Sequence, residues 1–154
     1  MTIKYYFEDF TVGRVFDSGT RRLSEADILG FAREYDPQYF HVDPEAAKTS
    51  IFGALIASGW QTVSVCMRLM CDSYVLDSAN MGSPGVDEVR WLRPVFPGDS
   101  LRMRATVIAA KPSSSKPDRG TVTLRWEIHN QKDEPVMHMQ GMQILGRRPA
   151  LTAE

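Results

Sequence analysis

The sequence predicts an α+β domain in which a curled antiparallel β-sheet wraps round one long buried helix. Two observations favour this fold class. The run from about Ser58 to Leu76 is apolar on nearly every face of a helix, and such a helix must be buried. Apolar and polar residues alternate in later segments, among them 101–107 and 121–129, which is the period of strands with one solvated face. The expected element order is one strand, then helices, then four antiparallel strands.

Size and charge exclude several classes of protein. A chain of 154 residues is most simply one domain, able to bury about 70% of its unfolded surface. With 18 basic and 19 acidic residues, the net charge of −1 gives no electrostatic case for a nucleic-acid partner. The N-terminal segment lacks the apolar core of a signal peptide, and polar residues interrupt the longest apolar run. We therefore expect a cytoplasmic protein with no membrane partner.

The first helix is predicted to begin after Ser24 and to end at Asp36-Pro37. Ser24 can accept a hydrogen bond from a first-turn amide, and Asp27 stands three residues later, as in a capping box. Leu23 before the cap can pack on Ile28 after it. The residue before a proline is disfavoured in helical geometry, which ends the helix. An apolar stripe is expected along this helix, formed by Ile28, Phe31, Ala32 and Tyr35.

Two further helices are expected before the main part of the sheet. Asp43 is expected to cap a short helix that starts at Pro44, a residue suited to the first helical position. The long helix follows, with Gly59 at its start. It contains both cysteines, Cys66 and Cys71, which would point to different sides of the helix. We therefore expect two structural thiols and no disulfide between them.

The second half of the chain is predicted to supply four strands. A short strand at 89–93 precedes the two alternating segments, and residues 130–135 are typical of a hairpin turn. In the last strand the apolar residues switch from odd positions (Met137, Met139) to even positions (Met142, Ile144). Gly141 lies at this switch, which predicts a β-bulge there. We assign residues 1–148 to a single domain and expect residues 149–154 to form a frayed tail.

An acid, an imidazole and a glycine are spaced in a way that indicates chemistry on an activated carbonyl compound. Asp36 and His41 lie five residues apart and are expected on a loop just past the first helix, and Gly59 opens the long helix. A carboxylate and a histidine can share acid and base work. Backbone N–H groups at a helix start can stabilise a developing oxyanion. Taken singly, Asp36 is more typical of a turn and His41 of a structural histidine, but the combination favours a functional site.

Segments spread over nearly the whole chain carry a family resemblance. The spacing of Asp36 and His41, followed by Asp43, is the most specific of them. The other matching segments are residues 6–13, 52–53, 57–59 and 90–99, and the strand-and-turn segment 90–99 supports the resemblance independently. On these residues the chain resembles the MaoC-like acyl dehydratases, relatives of the (R)-specific enoyl-CoA hydratases. The resemblance implies the hot-dog fold.

The same resemblance implies a hydro-lyase that reversibly adds water to a trans-2-enoyl thioester and gives a 3-hydroxyacyl thioester. Asp36 and His41 would be the catalytic pair, and which of them is the acid stays open. The Gly59 amide would polarise the thioester carbonyl, with Ser58 beside it as a candidate substrate-binding residue. The substrate would be a coenzyme A or acyl carrier protein thioester of fatty acid metabolism, with no further cofactor.

Two positions depart from the usual hydratase pattern. Gln38-Tyr39 stands where Asn-Pro is usual, and Met67 stands where many hydratases have a serine eight residues after the glycine. Gln38 is therefore a candidate supporting residue behind the catalytic pair. Two other functions stay open: a hot-dog acyl-CoA thioesterase, which would release a free thiol, and a non-catalytic acyl-thioester binding protein.

The predicted sheet also implies a partner subunit. A curled sheet leaves an open edge, and such edges are normally paired or covered. The resemblance implies a homodimer at minimum, or a higher oligomer, joined edge to edge with the pantetheine arm between subunits. Part of the acyl pocket would be lined by the long helix through Trp60 and Val63.

Other charged side chains have simpler interpretations. Three arginines suit a solvated strand face at least as well as a coenzyme A phosphate: Arg90, Arg93 and Arg102. His129 and His138 lie in predicted strands without companions that could ligate a metal. No metal site is therefore predicted.

Overall fold

The computed structural model describes residues 2–150, and the predicted fraying of residues 151–154 lies outside that range. The strands are β1 (Val15–Arg22), β2 (Gly85–Trp91), β3 (Ser100–Pro112), β4 (Arg119–His129) and β5 (Pro135–Gly146). The helices are α1 (Glu25–Tyr35), α2 (Tyr39–Val42), α3 (Pro44–Ala47) and α4 (Gly59–Met70). A 3₁₀ turn at Phe7–Asp9 precedes β1, and a π-helical turn at Cys71–Val75 continues α4. The predicted order of elements is confirmed.

The five strands form one antiparallel sheet in the order β1-β3-β4-β5-β2, with β1 and β2 at its edges. Every second residue of the central strands is buried, as the alternation predicts: Leu101, Met103, Ala105 and Val107 in β3, and Val122, Leu124, Trp126 and Ile128 in β4. These side chains share one hydrophobic core with the buried face of α4. The predicted α+β fold, a sheet wrapped round one helix, is confirmed.

The predicted capping box at the start of α1 is confirmed. The Ser24 hydroxyl accepts a hydrogen bond from the Asp27 amide at 3.0 Å, and the Asp27 carboxylate accepts one from the Ser24 amide at 2.9 Å. Leu23 and Ile28 on either side of the cap are both buried in the core. The predicted apolar stripe fails at its last member, because Tyr35 is 66% exposed at the end of the helix. The helix places its C-cap residue, Asp36, at a defined position.

Helix α4 is buried on one face only, so the expectation of a helix buried all round is wrong. Trp60 is 59% exposed and Met67 is 42% exposed, because a single sheet covers only the opposite face. Cys66 and Cys71 are both free thiols, as expected, and burial raises the pKa of the Cys66 thiol to about 12. Within residues 2–150, no helix has both the length and the apolarity that a membrane crossing requires.

The bulge predicted at Gly141 is wrong for β5, because this strand pairs with β4 in continuous register through that point. The inward positions keep their parity, and Gln143 occupies one of them. Its amide oxygen accepts a hydrogen bond from the Tyr74 hydroxyl at 3.4 Å, which satisfies a buried polar group. Met142 and Ile144 face the other side and are half-buried. The sequence pattern therefore suggested a change of register, because the buried residue Gln143 is polar and its outward neighbours, Met142 and Ile144, are apolar.

The irregularity near Gly141 lies on the neighbouring strand. The register between β2 and β5 shifts between Val86 and Glu88, which places the extra residue in β2. A Cβ atom on Gly141 would lie 3.0 Å from the Gly85 carbonyl oxygen and 3.1 Å from the Val86 Cα atom. The glycine therefore allows the bulged edge strand to approach β5 closely.

Candidate active site

Three short elements bring the predicted site residues together at one end of α4. Asp36 is the C-cap of α1, and His41 lies in the single turn of α2 rather than in a loop. Ser58 is the N-cap of α4, and Gly59 is the first residue of that helix. All four are therefore fixed by helix ends, where hydrogen-bonding groups of the backbone are left free to meet side chains or ligands.

His41 is buried and held in one orientation by the backbone. Its Nδ1 atom lies 2.7 Å from the carbonyl oxygen of Ile56. A carbonyl oxygen only accepts, so Nδ1 carries the proton and the neutral ring presents the lone pair of Nε2. Nε2 lies 3.4 Å from Oδ2 of Asp36. The ring is thereby set to receive a proton at the atom that faces the carboxylate.

Asp36 accepts hydrogen bonds on both of its carboxylate oxygens. The Ser58 hydroxyl donates to Oδ2 at 2.6 Å, and the Gln38 amide nitrogen donates to Oδ1 at 2.8 Å. Partial burial acts to raise the pKa of Asp36, but these two hydrogen bonds, together with the attraction of the protonated form of His41, outweigh it. The pKa of Asp36 is consequently lower than its ordinary value, and the carboxylate form is favoured.

The start of α4 presents a backbone donor beside this pair. Among residues 2–150, the Gly59 amide has no hydrogen-bond acceptor, as is usual for the first N–H of a helix. The Ser58 hydroxyl accepts from the next amide, that of Trp60, at 3.3 Å. A Cβ atom at position 59 would lie 2.4 Å from the indole of Trp91, so only glycine leaves this ring in place. A free N–H and an aromatic wall therefore meet at this point.

These groups open onto a cavity of about 470 Å³, a volume in the range of small-molecule sites. Its polar wall is formed by Asp36, Gln38, His41, Gly59 and Thr62. Its other walls are mostly apolar and include Phe40, Phe52, Ile56, Trp60, Trp91 and Val95. One end of the cavity thus carries the acid, the imidazole and the free amide, and the rest suits an apolar group.

The sequence indicated four polar residues of this cavity (Asp36, Gln38, His41 and Gly59) but not Thr62 and not most of the apolar lining. Val63, expected in the acyl pocket, is not among the lining residues, and Thr62 on the neighbouring position of α4 is. Phe52 and Trp91 come from a loop and from β2, and no local pattern in the sequence indicates that they meet. The group that orients His41 is the backbone carbonyl of Ile56, and every residue has such a carbonyl, so this contact cannot be predicted from the sequence.

The remaining candidates lie away from Asp36 and His41 or have structural partners. Asp43 caps α3, as expected, by accepting hydrogen bonds from two backbone amides at 3.0 Å. Each of the three arginines has a carboxylate partner: Arg90 with Glu88, Arg93 with Glu134, and Arg102 with Asp133. Residues 2–150 contain no cluster of three or more His, Cys, Asp or Glu side chains placed to hold a metal ion.

The fold and the family are also shown by comparison with known proteins. The five-stranded antiparallel sheet wrapped round one helix is the hot-dog fold. The family model "MaoC like domain" matches residues 9–127, so the chain belongs to the MaoC-like domain family. The crystal structure of a MaoC-like dehydratase from Rhodospirillum rubrum is 42% identical, with a TM-score of 0.88 over 95% of this chain and 99% of that one.

Two curated relatives add to this picture. The uncharacterized protein YdeM of Bacillus subtilis is 32% identical over 129 residues, which are 84% of this chain and 90% of YdeM. The 3-hydroxyacyl-thioester dehydratase Z of Mycobacterium tuberculosis is 29% identical over 94 residues, 60% of this chain and 62% of that protein. An (R)-hydratase from A. caviae, at 24% identity and a TM-score of 0.66, shares the fold.

Proposed function

We propose that this protein is an acyl-thioester hydratase/dehydratase that adds water reversibly to a trans-2-enoyl-CoA or acyl carrier protein thioester. The observation that carries the proposal is the meeting of His41, Asp36 and the free Gly59 amide at one end of an apolar cavity. Membership of the MaoC-like domain family supports the reaction class. The product of hydration is a 3-hydroxyacyl thioester.

The acid–base pair suits the activation of water. A water molecule on the cavity side of the pair can donate hydrogen bonds to Asp36 Oδ2 and His41 Nε2, which lie 3.4 Å apart, because both are acceptors when the ring is neutral. His41 takes one proton from this water while the water oxygen attacks the β carbon of the enoyl thioester. A proton is then delivered to the α carbon, and a 3-hydroxyacyl thioester is formed.

The Gly59 amide suits the charge that develops during attack. Addition at the β carbon moves negative charge onto the thioester oxygen, where a preorganised N–H donor is worth about 3–4 kcal/mol. The amide belongs to the first turn of α4, so the positive end of that helix adds to the stabilisation. Ser58 lies behind it, bonded to Asp36, which supports a positioning role rather than direct contact with substrate.

The apolar part of the cavity suits the acyl chain. Phe40, Phe52 and Val95 line it, and Trp60 and Trp91 pack edge to face with their ring centroids 5.3 Å apart. Trp60 and Trp91 are also half exposed on this side of the molecule. We therefore place the acyl group between these walls and the pantetheine arm at the exposed mouth of the cavity.

The proposal is tested by turnover of a panel of trans-2-enoyl-CoA thioesters of increasing chain length. Loss of the enoyl-thioester absorbance is followed together with a free-thiol assay, for the wild type and for Asp36→Asn and His41→Gln. We expect absorbance loss without thiol release, abolished in both variants. As a matched control, His138→Gln removes an imidazole on the outward side of β5 and is expected to retain activity.

Other outcomes point to the alternative functions. Thiol release in the wild type would contradict hydration and indicate a thioesterase, which can use the same carboxylate and helix-start amide. Saturable binding of enoyl-CoA, and of the corresponding acyl carrier protein thioester, with no conversion of either would contradict catalysis and indicate a binding protein.

A further inference from the structure

The Asp36 carboxylate has a donor on each of its two oxygens, and both donors are neutral. Ser58 occupies Oδ2 at 2.6 Å and Gln38 occupies Oδ1 at 2.8 Å. An amide nitrogen only donates, so a proton on Oδ1 of Asp36 would point at the N–H of Gln38 and break this hydrogen bond. His41 is the titratable group that faces Asp36, and it is placed to accept a proton itself. The surroundings of Asp36 therefore favour one protonation state.

The two donors are fixed to different degrees. Ser58 is fully buried, and its hydroxyl is oriented by the hydrogen bond that it accepts from the Trp60 amide. Gln38 lies on the solvent side, in a hydrogen bond exposed to water. A buried hydrogen bond to a charged group is worth more than an exposed one. Ser58 should consequently contribute more than Gln38.

We propose that Ser58 and Gln38 are positioning residues that keep Asp36 free of a proton throughout the reaction, so that His41 alone carries the proton. The inference rests on the hydratase function proposed above. The water oxygen bonds to the β carbon and the water proton passes to Nε2 of His41. The same Nε2–H then protonates the α carbon, and His41 returns to its neutral state.

A single proton carrier has a stereochemical consequence. The attacking water and the proton for the α carbon both come from the His41 side of the substrate plane. The hydroxyl group and the new hydrogen are therefore added to the same face of the double bond. Asp36 contributes by orienting the water and by stabilising the imidazolium while His41 holds the proton.

The first test is independent of turnover. The side-chain carboxyl of Asp36 is titrated by carbon NMR in the free protein, in the wild type, Ser58→Ala and Gln38→Leu. We expect the pKa of Asp36 to rise in both variants, more in Ser58→Ala, because each loses a donor to the carboxylate. Ser64→Ala and Gln140→Leu serve as controls, since they remove a hydroxyl and an amide away from the cavity. An unchanged pKa of Asp36 in both variants would overturn the inference.

The second test is the pH profile of kcat/KM. With Asp36 ionised and His41 neutral in the active form, the wild-type rate rises through one ionisation and then stays level at alkaline pH. If Asp36 had to be protonated in the active form, the profile would instead be bell-shaped and decline on the alkaline side. We expect Ser58→Ala to lower kcat by roughly tenfold to a hundredfold with KM nearly unchanged. A wild-type profile that declines on the alkaline side would overturn the inference.

The two tests distinguish failure of the inference from failure of the proposed function. If no enoyl thioester is converted, the proposed function fails, and the NMR titration still decides whether Ser58 and Gln38 hold the carboxylate. Thermal unfolding of each variant, followed by circular dichroism, identifies any loss of fold.

Discussion

Gly59 is a position where one added carbon atom would disturb the candidate site. An added Cβ would lie 2.4 Å from the indole of Trp91, which forms a wall of the cavity. Either the ring or the start of α4, which carries the Gly59 amide, would have to move. No local pattern indicates this contact, because Trp91 lies on β2, far along the chain.

We therefore expect Gly59→Ala to lower kcat/KM by at least roughly a hundredfold while the fold is retained, since a misplaced oxyanion donor costs about that much. Gly30→Ala is the control. Gly30 lies in α1, and an added Cβ there meets nothing within 4 Å, so this variant should keep its activity. Equal activity of Gly59→Ala and the wild type would contradict a role for this amide.

Asp36 also links the site to acid stability. Burial acts to raise its pKa, but the hydrogen bonds from Ser58 and Gln38 leave it below the ordinary value of 3.8. A group with a lowered folded pKa stabilises the fold above its unfolded pKa, and this contribution is lost as pH falls through the folded value. Urea unfolding from pH 7 to acid should show a loss of stability below about pH 4 that is smaller in Asp36→Asn than in the wild type, because other carboxylates, among them Asp17 and Asp27, also have lowered pKa values. The same acid dependence in both proteins would contradict the hydrogen-bonded carboxylate.

Among the elements, the ends of helices were predictable and their exposed faces were not. The predicted caps of α1 and α3 follow from side chains that bond to backbone amides a few residues away, a purely local effect. Ser58 caps α4 in the same way, although it was predicted only as a substrate-binding residue. The exposure of Trp60 and Met67 depends on how much of α4 the sheet covers. The bulge expected in β5 was wrong because Gln143 is buried, and it can be buried because it accepts a hydrogen bond from Tyr74, which is distant in the sequence. These features depend on tertiary contacts that a local pattern does not contain.

The cap of α1 provides a test of this local effect. Ser24→Ala removes the hydroxyl that accepts from the Asp27 amide, and we expect a loss of about 1 kcal/mol in the free energy of unfolding. Ser64→Ala, in the middle of α4, should change stability little, because its hydroxyl bonds back to the Trp60 carbonyl within the helix. Urea denaturation of both variants measures the difference, and equal stabilities would contradict the cap.

The molecule as a whole presents an apolar side that a second copy would cover. Exposed apolar residues flank the edge strand β2 and the mouth of the cavity: Trp60, Val86, Trp91 and Leu92. An open strand edge beside apolar side chains favours pairing with another chain. We propose a homodimer joined through β2. The mass measurement described below also detects any larger assembly of dimers. The pantetheine arm would then enter between the subunits.

This assembly is tested with a matched pair of edge substitutions. Val86→Lys places a charge on the exposed edge of β2, and Val15→Lys places one on the exposed edge of β1. Light scattering after size exclusion, at micromolar concentration, should give a dimer for the wild type and Val15→Lys and a monomer for Val86→Lys. A fully active wild-type monomer would contradict the dimer.

The most direct measurement of the proposed function is the mass of the product formed in water labelled with heavy oxygen. A short trans-2-enoyl-CoA is incubated with the protein and the thioesters are analysed by mass spectrometry. We expect the wild type to form an intact coenzyme A thioester that is heavier by one labelled water and carries the label at the β carbon. We expect His41→Gln not to form this product. Free coenzyme A with the label in a released carboxylic acid would contradict it.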